Sequence, residues 1–183
     1  MRRLMLLRHA KTETDAPSGK DHDRRLDDRG RSDAADIGAW MVRHGHVPDL
    51  VLVSTATRAV QTWNIVQDAI KGAMKAAPQP LVANLPELYG AGPSQLLQII
   101  HAVDAEDPQR LLVIGHNPGL HELALALVGS GDAAGRKALA ENLPTSGLTM
   151  IDFPVKGWND VSFRGGRLEL FVSPKLLKKT TGK

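Results

Sequence analysis

Residues 111–119 read Leu111-Leu112-Val113-Ile114-Gly115-His116-Asn117-Pro118-Gly119. The opening run is apolar at odd and even positions alike. A strand covered on one face alternates, so this run expects cover on both faces, as in a central parallel strand. Apolar residues then recur at helical spacing, at Leu120, Leu123, Ala124, Leu127 and Val128. Strand, short turn and amphipathic helix make half of a βαβ unit.

The same succession recurs along the chain. Residues 4–7 precede the stripe Ala34, Ile37, Gly38, Met41 and Val42, started by Asp27 or Asp28 and stopped by Gly45. Leu50–Ser54 precedes Ala59, Trp63, Val66 and Ile70. The weaker run Leu81–Leu85 precedes Leu96, Leu97, Ile100 and Val103, a stripe that opens at Pro93 and ends before Pro108. Residues 132–142 read as another short helix, and Leu148–Phe153 and residues 167–172 as closing strands. The stripes are core. This alternation predicts an α/β fold, a three-layer α/β/α sandwich around a mostly parallel sheet. One domain is expected over residues 1–174, followed by a solvated Lys-rich tail over 175–183. Residues 12–25 are polar, with Pro17 and Gly19, and read as a long loop of the kind that often carries function.

Composition narrows the function classes. The 183 residues are 42% hydrophobic and 23% charged, which suits one globular domain. There is no cysteine, which removes disulfides, thiolate nucleophiles and cysteine-zinc sites and suits a reducing cytoplasm. No apolar run approaches the roughly 18–20 residues of a membrane span, and the four-residue run at the start is too short for a signal peptide. The net charge of +3 points toward nucleic acid until it is located. Residues 175–183 hold four lysines and no acid, leaving 19 bases against 20 acids elsewhere. With aromatics at 4%, a nucleic-acid groove is not expected.

Three of the apolar runs end in residues that a core would not choose. The first ends in Arg8-His9, the second in Ser54-Thr55-Ala56-Thr57-Arg58, and the run at 111–115 in His116-Asn117. In open α/β sheets ligands bind beyond the carboxyl ends of the strands. Arg8, His9, Arg58 and His116 are therefore expected to converge. Two arginines and two histidines in one crevice describe an anion site. Arginine offers a planar fork that matches phosphate oxygens, and histidine serves as nucleophile, acid or donor near neutral pH. Neither a phosphate-binding Gly-rich Lys loop nor a Gly-x-Ser-x-Gly elbow is present. His116, His121 and Glu122, and the trio Asp21-His22-Asp23, lack the spacing of a zinc hydrolase, so no metal or other cofactor is expected. Asp21 and Asp23 read as residues that position the neighbouring arginines.

Arg8-His9-Ala10 after a short strand resembles the Arg-His-Gly element of the histidine phosphatase, or phosphoglycerate-mutase-like, superfamily, with Ala10 where Gly is commoner. The run from Ser54 through Arg58 to Thr62 resembles its Ser-x-x-x-Arg-x-x-x-Thr element, and Gly115-His116 its Gly-His. Asp21-His22-Asp23-Arg24-Arg25-Leu26, Gly115-His116-Asn117-Pro118-Gly119-Leu120 and the late Gly166 to Pro174 stretch resemble the SixA-type phosphohistidine phosphatase branch. Arg25 replaces that branch's usual Pro. The long insertions of the mutases are missing.

The resemblance implies a phosphoglycerate-mutase-like fold and a metal-independent phosphatase. His9 would be the nucleophile, its second ring nitrogen held by an acceptor, expected to be a backbone carbonyl. Arg8, Arg58 and His116 would hold the phosphoryl oxygens, with Arg24 and Asn117 as further contacts. Glu87, in Leu85-Pro86-Glu87-Leu88-Tyr89-Gly90, matches the superfamily's carboxyl acid; a surface glutamate before a turn is the plain alternative. The implied substrate is phosphohistidine on a partner protein. Small phosphate monoesters, and a non-catalytic phosphate-binding module, are the competing readings.

Overall fold

The computed structural model describes residues 1–104 and 106–181. Their strands are β1 (Arg2–Arg8), β2 (Leu50–Ser54), β3 (Leu81–Leu85), β4 (Arg110–Gly115), β5 (Val128–Gly131), β6 (Leu148–Phe153) and β7 (Gly166–Val172). The helices are α1 (Asp28–Arg43), α2 (Thr57–Ala73), α3 (Pro93–His101), α4 (Gly119–Leu127), α5 (Ala133–Glu141) and α6 (Pro174–Thr181). One seven-stranded sheet runs in the order β3-β2-β4-β1-β6-β7-β5. Only β6 opposes the others, pairing antiparallel with both β1 and β7. The fold is α/β with a mostly parallel sheet, as the apolar runs predict.

The two-sided runs divide between two layers. Met5, Leu7, Val51, Val53, Leu112 and Ile114 pack with Ile37, Met41, Trp63 and Val66 of α1 and α2. Leu4, Leu6, Leu52, Leu111 and Val113 pack with Leu96, Ile100, Leu120, Leu123 and Leu139 of α3, α4 and α5. Each such side chain taken fully out of water contributes about 1.5–3 kcal/mol before ordering costs. Asp27 caps α1, its carboxylate accepting from Gly30 N–H at 2.7 Å.

Two local expectations differ from the structure. Val128 completes the stripe of α4 in the sequence, yet it opens β5, which pairs with β7 across a register shift. The two glycines of Val128-Gly129-Ser130-Gly131 hide that strand. The tail expected to be solvated is helical through Thr181, with Leu177 against the α1–α2 core and Lys178 Nζ 3.5 Å from the buried Asp33 carboxylate. Gly182 and Lys183 of that tail lie outside the described residues.

Candidate active site

Strands β2, β4 and β1 are neighbours, parallel and in register, with Arg8 opposite Gly115 and Val53 opposite Ile114. Their carboxyl ends therefore reach one rim together. Because β6 runs the other way, its amino end meets the same rim. Arg8 N–H donates to Gly147 O at 3.1 Å, and Ser146 N–H to Arg8 O at 3.1 Å.

His9 is 7% exposed, and its Nδ1 lies 2.8 Å from Ala10 O. A carbonyl oxygen only accepts, so Nδ1 carries the proton and Nε2 keeps its lone pair. The Ala10 peptide is held from its other side, its N–H donating to Thr62 Oγ1 at 3.0 Å. Thr62 in turn donates to Arg58 O at 2.7 Å, which ties the turn after His9 to the first turn of α2. The His116 ring stands 5.2 Å from that of His9 at 49°. His116 Nε2 is 2.7 Å from Ser54 Oγ, which already accepts from Ala56 N–H at 3.2 Å. Where Ser54 gives its own proton to Nε2, His116 Nδ1 carries the ring's proton. That atom is buried with no partner, as are Arg8 Nε and Arg58 Nε. Buried donors left unpaired are costly.

Both rings are neutral at neutral pH. Burial, outweighing the pull of the Ala10 carbonyl and joined by Arg58, Arg8 and, once it is protonated, His116, pushes His9 down to about 3. Burial, and then Arg58, push His116 down to about 4. A neutral His9 keeps the Nε2 lone pair. His116 is likewise uncharged at neutral pH in the free protein. Unfolded histidines titrate near 6.5, so below that pH the unfolded chain binds more protons than the folded one. Stability is therefore fully present above about pH 6.5 and falls as pH drops toward the two folded values. Urea midpoints measured at pH 7 and pH 5 are expected to show this fall, and His116→Gln to flatten it. An equal slope in the variant would contradict the assignment.

Around this centre lie the other expected residues. Asn117 Nδ2 donates to Leu143 O at 2.8 Å, the same carbonyl that Arg8 Nη1 reaches at 3.2 Å. Arg24 does not join the cluster directly; its Nε donates to Asp21 at 2.9 Å and its Nη1 to Thr12 Oγ1 at 2.8 Å. Glu87 sits in a short 3-10 turn after β3 and is exposed. Its carboxylate bonds to none of Arg8, His9, Arg58 or His116. His121, weighed as a metal ligand, instead faces Leu139 O at 2.6 Å. Among the described residues no three His, Asp or Glu side chains gather as metal ligands.

Two residues enter the site that the sequence reading did not give a role there. Tyr89 lies edge-on to His116, ring centroids 5.4 Å apart, with the Arg58 guanidinium 5.8 Å from its ring. Gly119 helps place it: any side chain there would collide with the Ala91 carbonyl, so the loop after β3 rests directly on the start of α4. Asp21, expected to position arginines, does so across the site mouth. It receives Arg58 Nη2 at 3.0 Å and Tyr89 OH at 2.6 Å, while its main-chain oxygen receives Arg58 Nη1 at 2.8 Å. The Tyr89 hydroxyl, with Arg58 and Arg24, holds its carboxyl well below the usual carboxylate range.

Residues 4–87 match the family model of the histidine phosphatase superfamily, branch 1. An uncharacterized protein of Mycobacterium tuberculosis is 36% identical over 159 residues, covering 85% of this chain and 91% of that one. The chain belongs to the histidine phosphatase superfamily. Among solved structures, a candidate phosphohistidine phosphatase SixA from Agrobacterium tumefaciens is 31% identical, with a TM-score of 0.75 over 94% of this chain and 99% of that one. Another candidate SixA, from Nakamurella multipartitia, is 27% identical, with a TM-score of 0.78 over 94% and 96%. The sheet and its six helices match the phosphoglycerate-mutase-like fold of these neighbours. Among the described residues no helix is long and apolar enough to cross a membrane.

Proposed function

We propose that this protein is a phosphatase that takes a phosphoryl group onto His9 Nε2 and passes it to water. Phosphohistidine on a partner protein is the substrate this reading favours. The observation that carries it is the His9 Nδ1 contact with Ala10 O, which aims a bare Nε2 into a cluster of buried, unpaired donors. Nε2 forms a bond to phosphorus as the substrate's own phosphorus–nitrogen bond breaks and the departing imidazole keeps a proton. Arg8, Arg58 and His116 hold the three equatorial oxygens, and such donors typically contribute about 3–4 kcal/mol each. Water then attacks phosphorus, releasing inorganic phosphate and neutral His9. Arg24 and Asn117 support the oxyanion from the rim. No metal takes part, and a near-neutral body argues against a nucleic-acid partner.

The choice of substrate turns on Glu87. A phosphate monoester leaves as an alkoxide and needs a placed acid. A protonated imidazole leaves easily. Glu87, exposed and unattached to the site's donors, suits an enzyme that leans little on its acid. Turnover of a phosphohistidine protein and of a monoester panel, with chelator present, tests this. Phosphohistidine is expected to be the better substrate. Glu87→Gln is expected to cost the monoesters about tenfold or more and phosphohistidine only a few-fold. Equal losses on both would remove Glu87 as leaving-group acid, and strict dependence on added metal would remove the mechanism.

A further inference from the structure

Arg58 is the buried cation of the site, its side chain 6% exposed. Two of its N–H groups are given to one residue of the long loop, Asp21, through the carboxylate and the main-chain oxygen. A fork that presents two N–H groups to adjacent oxygens is the arrangement that recognises a phosphoryl group. Asp21 therefore occupies donors that the proposed substrate would use.

The pair is built to exchange. At the far end of the sheet, Arg3 grips Asp152 with two bonds of 2.8 Å, and Asp152 is 9% exposed there. Asp21, by contrast, has a side chain 54% exposed. It can leave Arg58 for water without stranding a buried negative charge. It would not leave unattended either, since Arg24 Nε and the Tyr89 hydroxyl both donate to its carboxylate. The buried donors beside it, Arg58 Nε, Arg8 Nε and His116 Nδ1, have no partner.

We infer that Asp21 is an affinity-setting residue: an intramolecular anion that holds Arg58 while the site is free and competes with a phosphoryl oxygen for its fork. The inference rests on the reading of this cluster as the phosphoryl site. It deepens that reading by explaining how tight binding of the product, inorganic phosphate, is avoided. The carboxylate weakens every oxyanion by the same free energy, and a substrate that also binds through its protein surface has further affinity to offset it.

Calorimetric titration of inorganic phosphate into the full chain tests this, using wild type, Asp21→Asn, Asp21→Ala, Arg58→Ala and the double variant Asp21→Asn with Arg58→Ala. Asp21→Asn removes the charge and leaves one of the two acceptor oxygens that Arg24 and Tyr89 use separately, and Asp21→Ala removes both. Both Asp21 variants are expected to bind phosphate about three- to tenfold tighter, as loss of a part-exposed competing ion pair implies. Inhibition of turnover by phosphate is expected to strengthen in step. Unchanged or weaker binding in both variants overturns the inference while leaving the site in place, provided Arg58→Ala still abolishes binding. Phosphate binding that survives Arg58→Ala and the double variant overturns both the inference and the reading of the cluster.

Discussion

His9→Ala is expected to reduce turnover by about 10⁴-fold or more, the scale seen when a covalent nucleophile is removed. No other group in the cluster can replace it. His116 is committed through Nε2 to Ser54, and the arginine guanidiniums carry no lone pair to give. The loss should be chemical rather than structural. Among the described residues the side chain's hydrogen bond runs to the Ala10 carbonyl, while the preceding peptide stays anchored to Thr62 through the Ala10 N–H. A destabilisation of about 1–3 kcal/mol is expected from the buried ring and the orphaned carbonyl, which a well-packed domain survives. Single-turnover trapping supplies the direct evidence. Wild type is expected to accumulate an acid-labile phosphoenzyme and His9→Ala none, with circular dichroism unchanged. A phosphoenzyme that persists in the variant would place the nucleophile elsewhere.

Arg58→Lys is expected to cost about 10²–10³ in kcat/KM although the charge is kept. A lysine ammonium is a point donor. It cannot hold two adjacent oxygens in plane, and it cannot reach the Asp21 carboxylate and carbonyl together as Arg58 does. The loss should fall mainly on kcat, because charge spreads over the phosphoryl oxygens as the bond to the leaving group stretches. Steady-state kinetics separate kcat from KM. A loss below about fivefold would show that Arg58 supplies general positive potential and not a fork.

What could be read from the chain follows from how far each relation reaches. The strands β2 and β6 are visible residue by residue because apolar residues on both faces are a local property, whereas β3, the exposed edge strand, shows only as a weaker run. Arg8, His9, Arg58 and His116 are visible for the same reason: each breaks an apolar pattern at a strand's end, and a parallel sheet gathers such ends. Thr62 could have been found from its place one helical turn after the buried Arg58. Asp21 against Arg58 could not, since 37 residues and a loop without periodicity separate them. Tyr89 lies 68 residues from the Asp21 that it bonds, and nothing in its own segment marks it as a site residue. The helical tail was masked by its lysines. Its cue was Lys178, a cation that the buried carboxylate of Asp33 on α1 attracts.

The single reversed strand shapes how such a molecule can diversify. Chain leaving β1, β2, β3 and β4 and chain entering β6 all meet at one rim, so the mouth is framed by five separate connections. Arg8, His9 and His116 sit at or just beyond the strand ends and Arg58 in the first turn of α2, while most of each connection lies outside the sheet's ladder. Residues can be added to those connections without shifting the register that aligns Arg8, Arg58 and His116. Chemistry and reach are thereby uncoupled. A short-rimmed version admits a side chain presented on a folded surface, and a long-rimmed one encloses a small molecule over the same donors.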